Sequence, residues 1–268
     1  MINVRKIIKA YFESFKQVGR FRKISWFETK VIKHQNDQTL KKKKFKEFEV
    51  YYKKPYELLH TYNDIFIDEI YQFNPSSKNP VIIDCGSNIG YSIIYFKILY
   101  PESIIRAFEP DSYNYEILIK NVNHNNLKNV SVERKAIWIN NETISFSQKG
   151  TEASKICEDG SNESVRCARL KDILLEYPNI DFLKIDIEGA EFQVVKDCEE
   201  ELYKIDNIFL EYHGKSNELH KLNTLLKIIE NNNFKVYIKL AADFLKSPFS
   251  NKETPYPYDV QLNIFCYK

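Results

Sequence analysis

The segment VIIDCGSNIGYSIIYF, residues 81–96, most constrains what this chain can fold into. A run of β-prone apolar residues leads into an aspartate, two glycines in one short turn, and then a pattern with helical spacing. The chain has only 7 glycines in 268 residues, so two in one turn indicate a backbone that needs positive φ or a close approach. The segment predicts the first strand, turn and helix of an α/β domain.

Strand-like and helix-like patterns alternate after this segment. Strands are predicted at 81–85, 103–108, 130–136, 181–186 and 206–212, and helices near 88–99, 112–122, 170–176, 188–197 and 216–231. The last two strands, 234–240 and 260–268, have only a loop between them and are expected to pair antiparallel. The order is that of the class I methyltransferase fold, an α/β, Rossmann-like, mostly parallel seven-stranded sheet with an antiparallel last strand.

Residues 1–79 are predicted to form a basic extension to a domain spanning 80–268. Residues 1–54 hold 16 Lys/Arg against 5 Asp/Glu, a net charge of +11, whereas the remainder carries −9. Apolar residues at helical spacing predict an amphipathic helix at 2–18, which packs on the domain or, alternatively, lies on a membrane surface. A strand at 45–52, a helical or mixed segment at 56–73 and a loop at 74–80 complete the extension. The basic arm suits an anionic partner or is a solvated extension.

The cysteines and the hydropathy indicate the compartment. The five cysteines show no CxxC spacing and are interpreted as buried free thiols: Cys85, Cys157, Cys167, Cys198 and Cys266. The chain has no apolar run of about 18 residues, the length that predicts a membrane-spanning helix. We therefore expect a cytoplasmic protein, because free thiols persist in reducing compartments.

The glycine turn is the first candidate ligand site. In an open α/β sheet the ligand binds beyond the carboxyl ends of the strands, beside this turn. Gly86 and Gly90 remove Cβ atoms there, and the amides from Ser87 through Asn88 to Gly90 are predicted to form an anion site at the helix N-terminus. The spacing is neither the GxGxxG of dinucleotide enzymes nor a P-loop. S-adenosylmethionine suits it, with its carboxylate on the amides and its ammonium facing Asp84.

Further candidate cofactor contacts follow the second and third strands. Glu109 ends the second strand, where an acidic side chain can hold both hydroxyls of a ribose. Ala136 and Ile137 are predicted to line the adenine, and Trp138 is assigned to the core. The alternative is that the glycine segment is only a tight turn and Glu109 only a helix-capping acid.

Polar residues at the ends of the fourth and fifth strands form the candidate catalytic face. KIDIEGAE places Asp186 at one end, and LEYHG places Glu211 and His213 on one face of the next strand. Lys184 shares a strand face with Asp186 and, if buried, needs a carboxylate partner. Methyl transfer to a hydroxyl needs a base, for which His213 has the best-matched ordinary pKa, about 6.5; Asp186 serves instead or orients it. Magnesium on Asp186 and Glu211 is less favoured, because magnesium prefers oxygen ligands over histidine.

Taken together, DCGSNIG, AFEP and DFLKIDIEGAE resemble the FkbM-type S-adenosylmethionine-dependent methyltransferases, over about residues 45–268. The resemblance implies O-methylation of a sugar or glycosylated natural product, and hence a small-molecule or glycoconjugate acceptor. Ser87 stands where the family often has alanine. Lys171 stands where an aspartate is usual, and Asp172 is expected to cap that helix instead.

Two alternative functions stay open. A nucleic-acid methyltransferase would use the basic arm, but IEGAE stands where base-methylating enzymes carry a Pro-Pro-aromatic motif, so a nucleic-acid acceptor is not favoured. A non-catalytic domain that associates with polyanions or membranes would have lost the transfer chemistry, against which Asp84, Glu109 and Asp186 argue. Loops above the strand ends, including 241–258, are expected to select the acceptor.

Overall fold

The structure, a computed structural model, describes residues 19–146, 163–243, 247–250 and 257–268, without the side chains of Phe146 and Glu163. The predicted amphipathic helix at 2–18 and Cys157 lie outside these described residues. Among the residues described, no helix is both long enough and apolar enough to cross a membrane.

The chain divides into two compact units. The smaller takes the described residues up to Lys43 and then Tyr52–Gln72, and the larger takes Lys44–Tyr51 and Phe73–Lys268. The sequence-based boundary after residue 79 left 44–51 and 73–79 with the extension, whereas the structure assigns both segments to the larger unit. Strands β1 (Lys41–Lys44) and β2 (Glu49–Tyr52) each contain residues of both units.

The described residues of the smaller unit contain two α-helices. α1 (Trp26–Lys33) begins with a capping box, in which Ser25 Oγ accepts the Glu28 N–H at 3.2 Å and the Glu28 carboxylate accepts the Ser25 N–H at 3.1 Å. α2 (Pro55–Tyr62) has proline at its first position, where no intrahelical N–H is needed, and continues into a π-helical turn at Asn63–Ile67. The predicted helical segment is therefore present.

The larger unit contains ten strands among its described residues besides part of β1 and β2. They are β3 (Val81–Cys85), β4 (Ile104–Phe108), β5 (Val130–Glu133), β6 (Ala136–Trp138), β7 (Thr143–Phe146), β8 (Glu163–Arg169), β9 (Ile180–Ile185), β10 (Ile205–Gly214), β11 (Lys235–Leu240) and β12 (Val260–Tyr267). The central sheet has seven of them in the order β11-β12-β10-β9-β3-β4-β5. β12 runs antiparallel to β10 and β11, and the other pairs are parallel. The predicted class I methyltransferase fold is confirmed.

Five helices accompany these strands: α3 (Tyr91–Leu99), α4 (Ser112–His124), α5 (Leu170–Leu175), α6 (Glu191–Asp197) and α7 (Leu219–Asn231). Short 3-10 turns occupy Glu199–Lys204 and Ser216–Glu218. α3 and α6 begin three residues later than predicted. Their preceding residues Asn88, Gly90, Glu188 and Gly189 have positive φ, which a right-handed helix does not admit.

The predicted strand at 130–136 is two strands. Lys135 N–H donates to the Glu133 carbonyl at 3.0 Å, and this tight turn ends the β5 ladder. β6 then enters a second sheet of order β6-β8-β7, in which β6 and β8 are parallel and β7 and β8 antiparallel. The described residues between the third and fourth strands of the central sheet thus include a second, three-stranded sheet.

The core lies on the central strands. Ile82, Ile83 and Leu183 are fully buried, as expected for parallel strands that are covered on both faces. The four described cysteines are buried free thiols, as predicted. Burial raises the pKa of the Cys85 thiol well above its ordinary value, which keeps this thiol unreactive.

Candidate active site

The glycine turn after β3 is shaped by close contact with the turn after β9. Gly86 has φ +83°, and a Cβ on it would lie 1.8 Å from the Asp186 carbonyl oxygen. Asp186 N–H in turn donates to the Cys85 carbonyl at 3.1 Å. Gly90 has φ +92°, with a Leu118 side-chain carbon 2.5 Å from its ideal Cβ. Both glycines are therefore required by backbone conformation and packing.

The amides of this turn bond within the protein. Ser87 N–H donates to the Phe108 carbonyl at 2.9 Å, and Gly90 N–H donates to the Ser87 carbonyl at 2.9 Å. Asn88 N–H donates to Glu109 Oε2 at 2.8 Å. Three of the four amides predicted to form an anion site, those of Ser87, Asn88 and Gly90, are therefore already bonded within the protein.

Asp84 and Asp186 meet at one buried lysine. Lys184 Nζ donates to Asp186 Oδ2 at 3.1 Å and to the Gly86 carbonyl at 2.7 Å, and lies 3.7 Å from Asp84 Oδ1. Asp84 is fully buried, and its Oδ2 accepts the Ser92 hydroxyl at 2.5 Å. Lys184, which was predicted to need a carboxylate partner, has two of them, Asp84 and Asp186. Asp84 does not reach the surface where a ligand would meet it.

Glu109 clamps the turn onto β4. Its Oε2 accepts the Asn88 N–H, and its Oε1 accepts the Asp111 N–H at 3.0 Å. Burial raises the pKa of Glu109 to about 8, although the two N–H bonds favour the carboxylate. Helix α4 is capped by Asp111, which accepts the Asn114 N–H at 2.9 Å, so Glu109 is not the capping acid of the alternative reading. Below pH about 8 one Glu109 oxygen carries a proton, so the side chain can accept from one ribose hydroxyl and donate to the other.

The residues predicted to line the adenine are packed inside. Ala136 and Ile137 in β6 are both buried in apolar clusters, and Trp138 packs against both clusters. Trp138 therefore sits where the core interpretation placed it. Asp172 does not cap α5, because it accepts the side-chain amide of Asn141 at 2.7 Å and the helix has no side-chain cap bond.

Asp186, Glu211 and His213 come together at the ends of β9 and β10. One side-chain donor atom of each lies within 4.8 Å of the others. The side chains of Asp186 and Glu211 are 26% and 21% exposed, whereas that of His213 is only 2% exposed. Neighbouring parallel strands and the alternation along β10 thus place all three predicted catalytic side chains in one cluster, with the two carboxylates outermost.

His213 is surrounded by three acidic side chains and one amide. Its Nδ1 lies 3.1 Å from Glu191 Oε1, and its Nε2 lies 3.7 Å from both Glu188 Oε2 and Glu211 Oε1. Gln261 Nε2 lies 3.0 Å from His213 Nε2. Burial alone would lower the pKa of His213, but the acidic neighbours raise the pKa to about 10. The acidic side chains therefore favour the protonated ring, whereas donation from the Gln261 amide favours a neutral one.

Glu191 organises the turn after β9, a role that the sequence analysis missed. It is fully buried, and its Oε1 accepts the N–H groups of Ile187 at 3.2 Å and Gly189 at 3.0 Å besides facing the His213 ring. An acid placed directly after Gly-Ala at a helix start is the only sequence signal for it. Glu188, expected to open the helix, lies in the turn with φ +56°, and burial raises its pKa to about 9.

Asp186, Glu211 and His213 are also a group of donors that could hold a divalent ion. Magnesium binds its ligands at about 2.0–2.1 Å, so the present spread would have to close slightly. Magnesium prefers oxygen ligands, and the His213 ring is already paired with Glu191 at 3.1 Å. The two carboxylates therefore suit magnesium better than the histidine does.

Comparison with known proteins decides the family, since the FkbM methyltransferase domain matches residues 84–236. This chain belongs to the FkbM methyltransferase family. It is 28% identical over 198 residues to Methyltransferase 1 of Beauveria bassiana, covering 64% of this chain and 79% of that protein. It is likewise 28% identical over 204 residues to Methyltransferase sdnD of Sordaria araneosa, covering 62% and 79%.

Among solved structures, the FkbM methyltransferase of Methylobacillus flagellatus KT is similar, with 20% identity and a TM-score of 0.47. The match covers 73% of this chain and 45% of that one, so this chain spans less than half of that protein. The predicted family and the enzyme class, an S-adenosylmethionine-dependent methyltransferase, are confirmed by the family match. The matched region includes Asp84, Glu109, Asp186, Glu211 and His213.

Proposed function

We propose that this protein transfers a methyl group from S-adenosylmethionine to a hydroxyl oxygen of a sugar or glycoconjugate. The observation that carries the proposal is the convergence of Asp186, Glu211 and His213 at adjacent strand ends, with two carboxylates partly exposed. A hydroxyl acceptor needs a base, and this cluster supplies one beside the glycine turn. The choice of a sugar rests on the resemblance of the motifs to those of the family.

The cofactor side of the site is assigned to the turn after β3. We assign to Glu109 the ribose hydroxyls, since its side chain can accept from one and donate to the other. Asp84 is buried, so it acts through Lys184, whose ammonium fixes the Gly86 carbonyl and Asp186. Bound at this turn, S-adenosylmethionine supplies an electrophilic methyl group on a sulfonium.

The base is assigned to Glu211. His213 is almost fully buried and its pKa is raised to about 10, and Asp186 is paired with Lys184. Glu211 accepts the neutral amide of Gln261 at 2.6 Å, and burial followed by the Asp186 charge raises its pKa to about 7. A base with a pKa near the working pH transfers protons best. Glu211 therefore takes the role of general base that the sequence analysis preferred for His213. His213 instead holds the neighbouring carboxylates in place.

The proposed reaction is a single displacement. The acceptor oxygen forms a bond to the methyl carbon while the carbon–sulfur bond breaks, and that electron pair stays on sulfur. The hydroxyl proton passes to Glu211. Alignment of oxygen, carbon and sulfur supplies up to roughly 7–11 kcal/mol in the best cases, and a positioned base adds about 10²–10⁴-fold.

The test uses S-adenosylmethionine labelled with carbon-13 in its methyl group and a panel of glycosides, with one oligoribonucleotide included. The carbon shift of the product identifies the atom that was methylated, and an O-methyl sugar is expected. Glu211→Gln should lower kcat about 10²–10⁴-fold, while Glu200→Gln at an exposed site should not. Label on nitrogen or on the oligonucleotide, or full activity of Glu211→Gln, would contradict the proposal.

The metal alternative has its own measurement. We expect the methylation rate to be unchanged by EDTA and by added magnesium, because magnesium prefers oxygen ligands and the His213 ring is paired with Glu191. Loss of activity in EDTA and recovery with magnesium would reassign Asp186 and Glu211 as metal ligands.

A further inference from the structure

A cleft opens beside the catalytic cluster in the larger unit. It is partly open to solvent. The turn after β9, the end of β10, the first part of α7 and Tyr258 form its walls, and His213 lies at its inner side. Glu211 does not line the cleft, but its Oε1 lies 3.7 Å from Nε2 of the wall residue His213.

Aromatic side chains line the inner part of the cleft. Phe192, Tyr212 and Tyr258 all contribute to the walls, and the Tyr258 ring lies 5.1 Å from the His213 ring. Tyr258 is fixed by its hydroxyl, which donates to the Glu188 carbonyl. Aromatic faces of this kind suit the C–H faces of a flat or saturated ring.

The outer part of the cleft is basic. Lys215 and Lys221 line it, and the only carboxylate in the lining is Glu218, whose Oε2 is 2.8 Å from Lys221 Nζ. Lys215 is exposed at the mouth. Residues 55–268 as a whole carry a net charge of −9, so two lysines against one carboxylate form a local reversal of charge. Such a reversal in a cleft attracts anions.

We propose that this cleft binds the acceptor, and that the acceptor is a ring compound carrying an anionic group, a carboxylate or a phosphate, bound by Lys215 and Lys221. The inference rests on the proposed function and narrows it from sugars in general to acidic ones. The ring lies between the aromatic walls, and its hydroxyl faces Glu211. Glu218 competes with the anion for Lys221.

The test is isothermal titration of the full chain with glucuronate, glucose 6-phosphate and glucose. We expect the better of the two anions to bind about tenfold tighter than glucose, which corresponds to about 1.4 kcal/mol. The two anions separate a carboxylate site from a phosphate site. The Lys215→Gln/Lys221→Gln double variant should lose the preference, whereas Lys227→Gln, exposed on the same helix, should keep it.

Glu218→Gln removes the carboxylate that competes for Lys221, so the anion should bind a few-fold tighter. A merely structural role of Lys221 would not produce this gain in affinity. Equal affinities for glucose and both anions, no saturable anion binding, or a preference that survives the double variant would overturn the inference. Each titration is run with and without S-adenosylhomocysteine. Absence of S-adenosylhomocysteine binding counts against the proposed function, whereas loss of the anion preference alone counts only against the acidic acceptor.

Discussion

The turns after β3 and β9 contain similar residues but differ in how far their aspartates are exposed. Each follows a strand that leads to an aspartate, each contains a glycine with positive φ, and both aspartates lie at Lys184. Asp84 is fully buried, whereas Asp186 is 26% exposed. The difference teaches that an acid at a strand end is not by itself a ligand contact, because only the second turn presents its acid to solvent.

The turns also differ in what holds them. The first is fixed from the neighbouring strand by the Phe108 carbonyl and the Glu109 carboxylate. The second is fixed by Glu191 from within its own helix and by the Tyr258 hydroxyl. We infer that the first turn is rigid and binds the cofactor, and that the second turn can move to fit the acceptor.

The largest expected effect is on the shared lysine. Lys184→Met should lower the free energy of unfolding by about 3–5 kcal/mol, because Asp84 is then buried without a cation. Urea denaturation measures this. Adding Asp84→Asn should recover part of the loss, since the uncompensated charge is removed. A double variant as unstable as Lys184→Met would mean that the lysine stabilises the fold through Asp186 instead.

The two glycines provide the next comparison. The Cβ of Gly86→Ala would meet a backbone carbonyl at 1.8 Å, which cannot move without moving the strand end, so a loss of about 3 kcal/mol or more is expected. In Gly189→Ala the nearest atom is the Tyr258 hydroxyl at 2.4 Å, on a side chain that can turn away. We expect a loss of about 1–3 kcal/mol there, mainly from φ +102°. Equal losses in urea would remove the distinction between a rigid and an adaptable turn.

A smaller effect depends on pH. The pKa of Glu109 is raised from 4.5 to about 8, so between these values the folded protein keeps a proton that the unfolded chain has released. The free energy of unfolding therefore falls as pH rises from about 4.5 to about 8. The raised pKa of His213 acts in the same direction, because its stabilisation is present below about 6.5 and is lost toward about 10.

Glu109→Gln isolates the first contribution, since glutamine does not titrate. Its stability curve should be flatter than that of the wild type over this range, while Glu200→Gln, which is exposed, should give a curve parallel to the wild type. Parallel curves for Glu109→Gln and the wild type would show that Glu109 is ionised in the folded protein at pH 5–8.

The sequence was sufficient for most of the order of strands and helices along the chain and for the meeting of Asp186, Glu211 and His213, because side chains alternate along a strand and the carboxyl ends of parallel strands meet at one edge of a sheet. It could not show that the turn amides are already bonded, since that depends on which carbonyl the adjacent strand brings to them. Nor could the sequence show that the pKa of His213 is raised. Glu188 and Glu191 reach this ring only through the folding of a turn with positive φ.

The most direct test of the division between a cofactor turn and a chemical turn is the dissociation constant of S-adenosylhomocysteine, measured by isothermal titration for Glu109→Gln and Glu211→Gln. The account predicts that Glu109→Gln weakens binding about tenfold or more, because the amide loses acceptor capacity for the ribose, while Glu211→Gln binds like the wild type. Unchanged affinity in Glu109→Gln, or a comparable loss in Glu211→Gln, would contradict it.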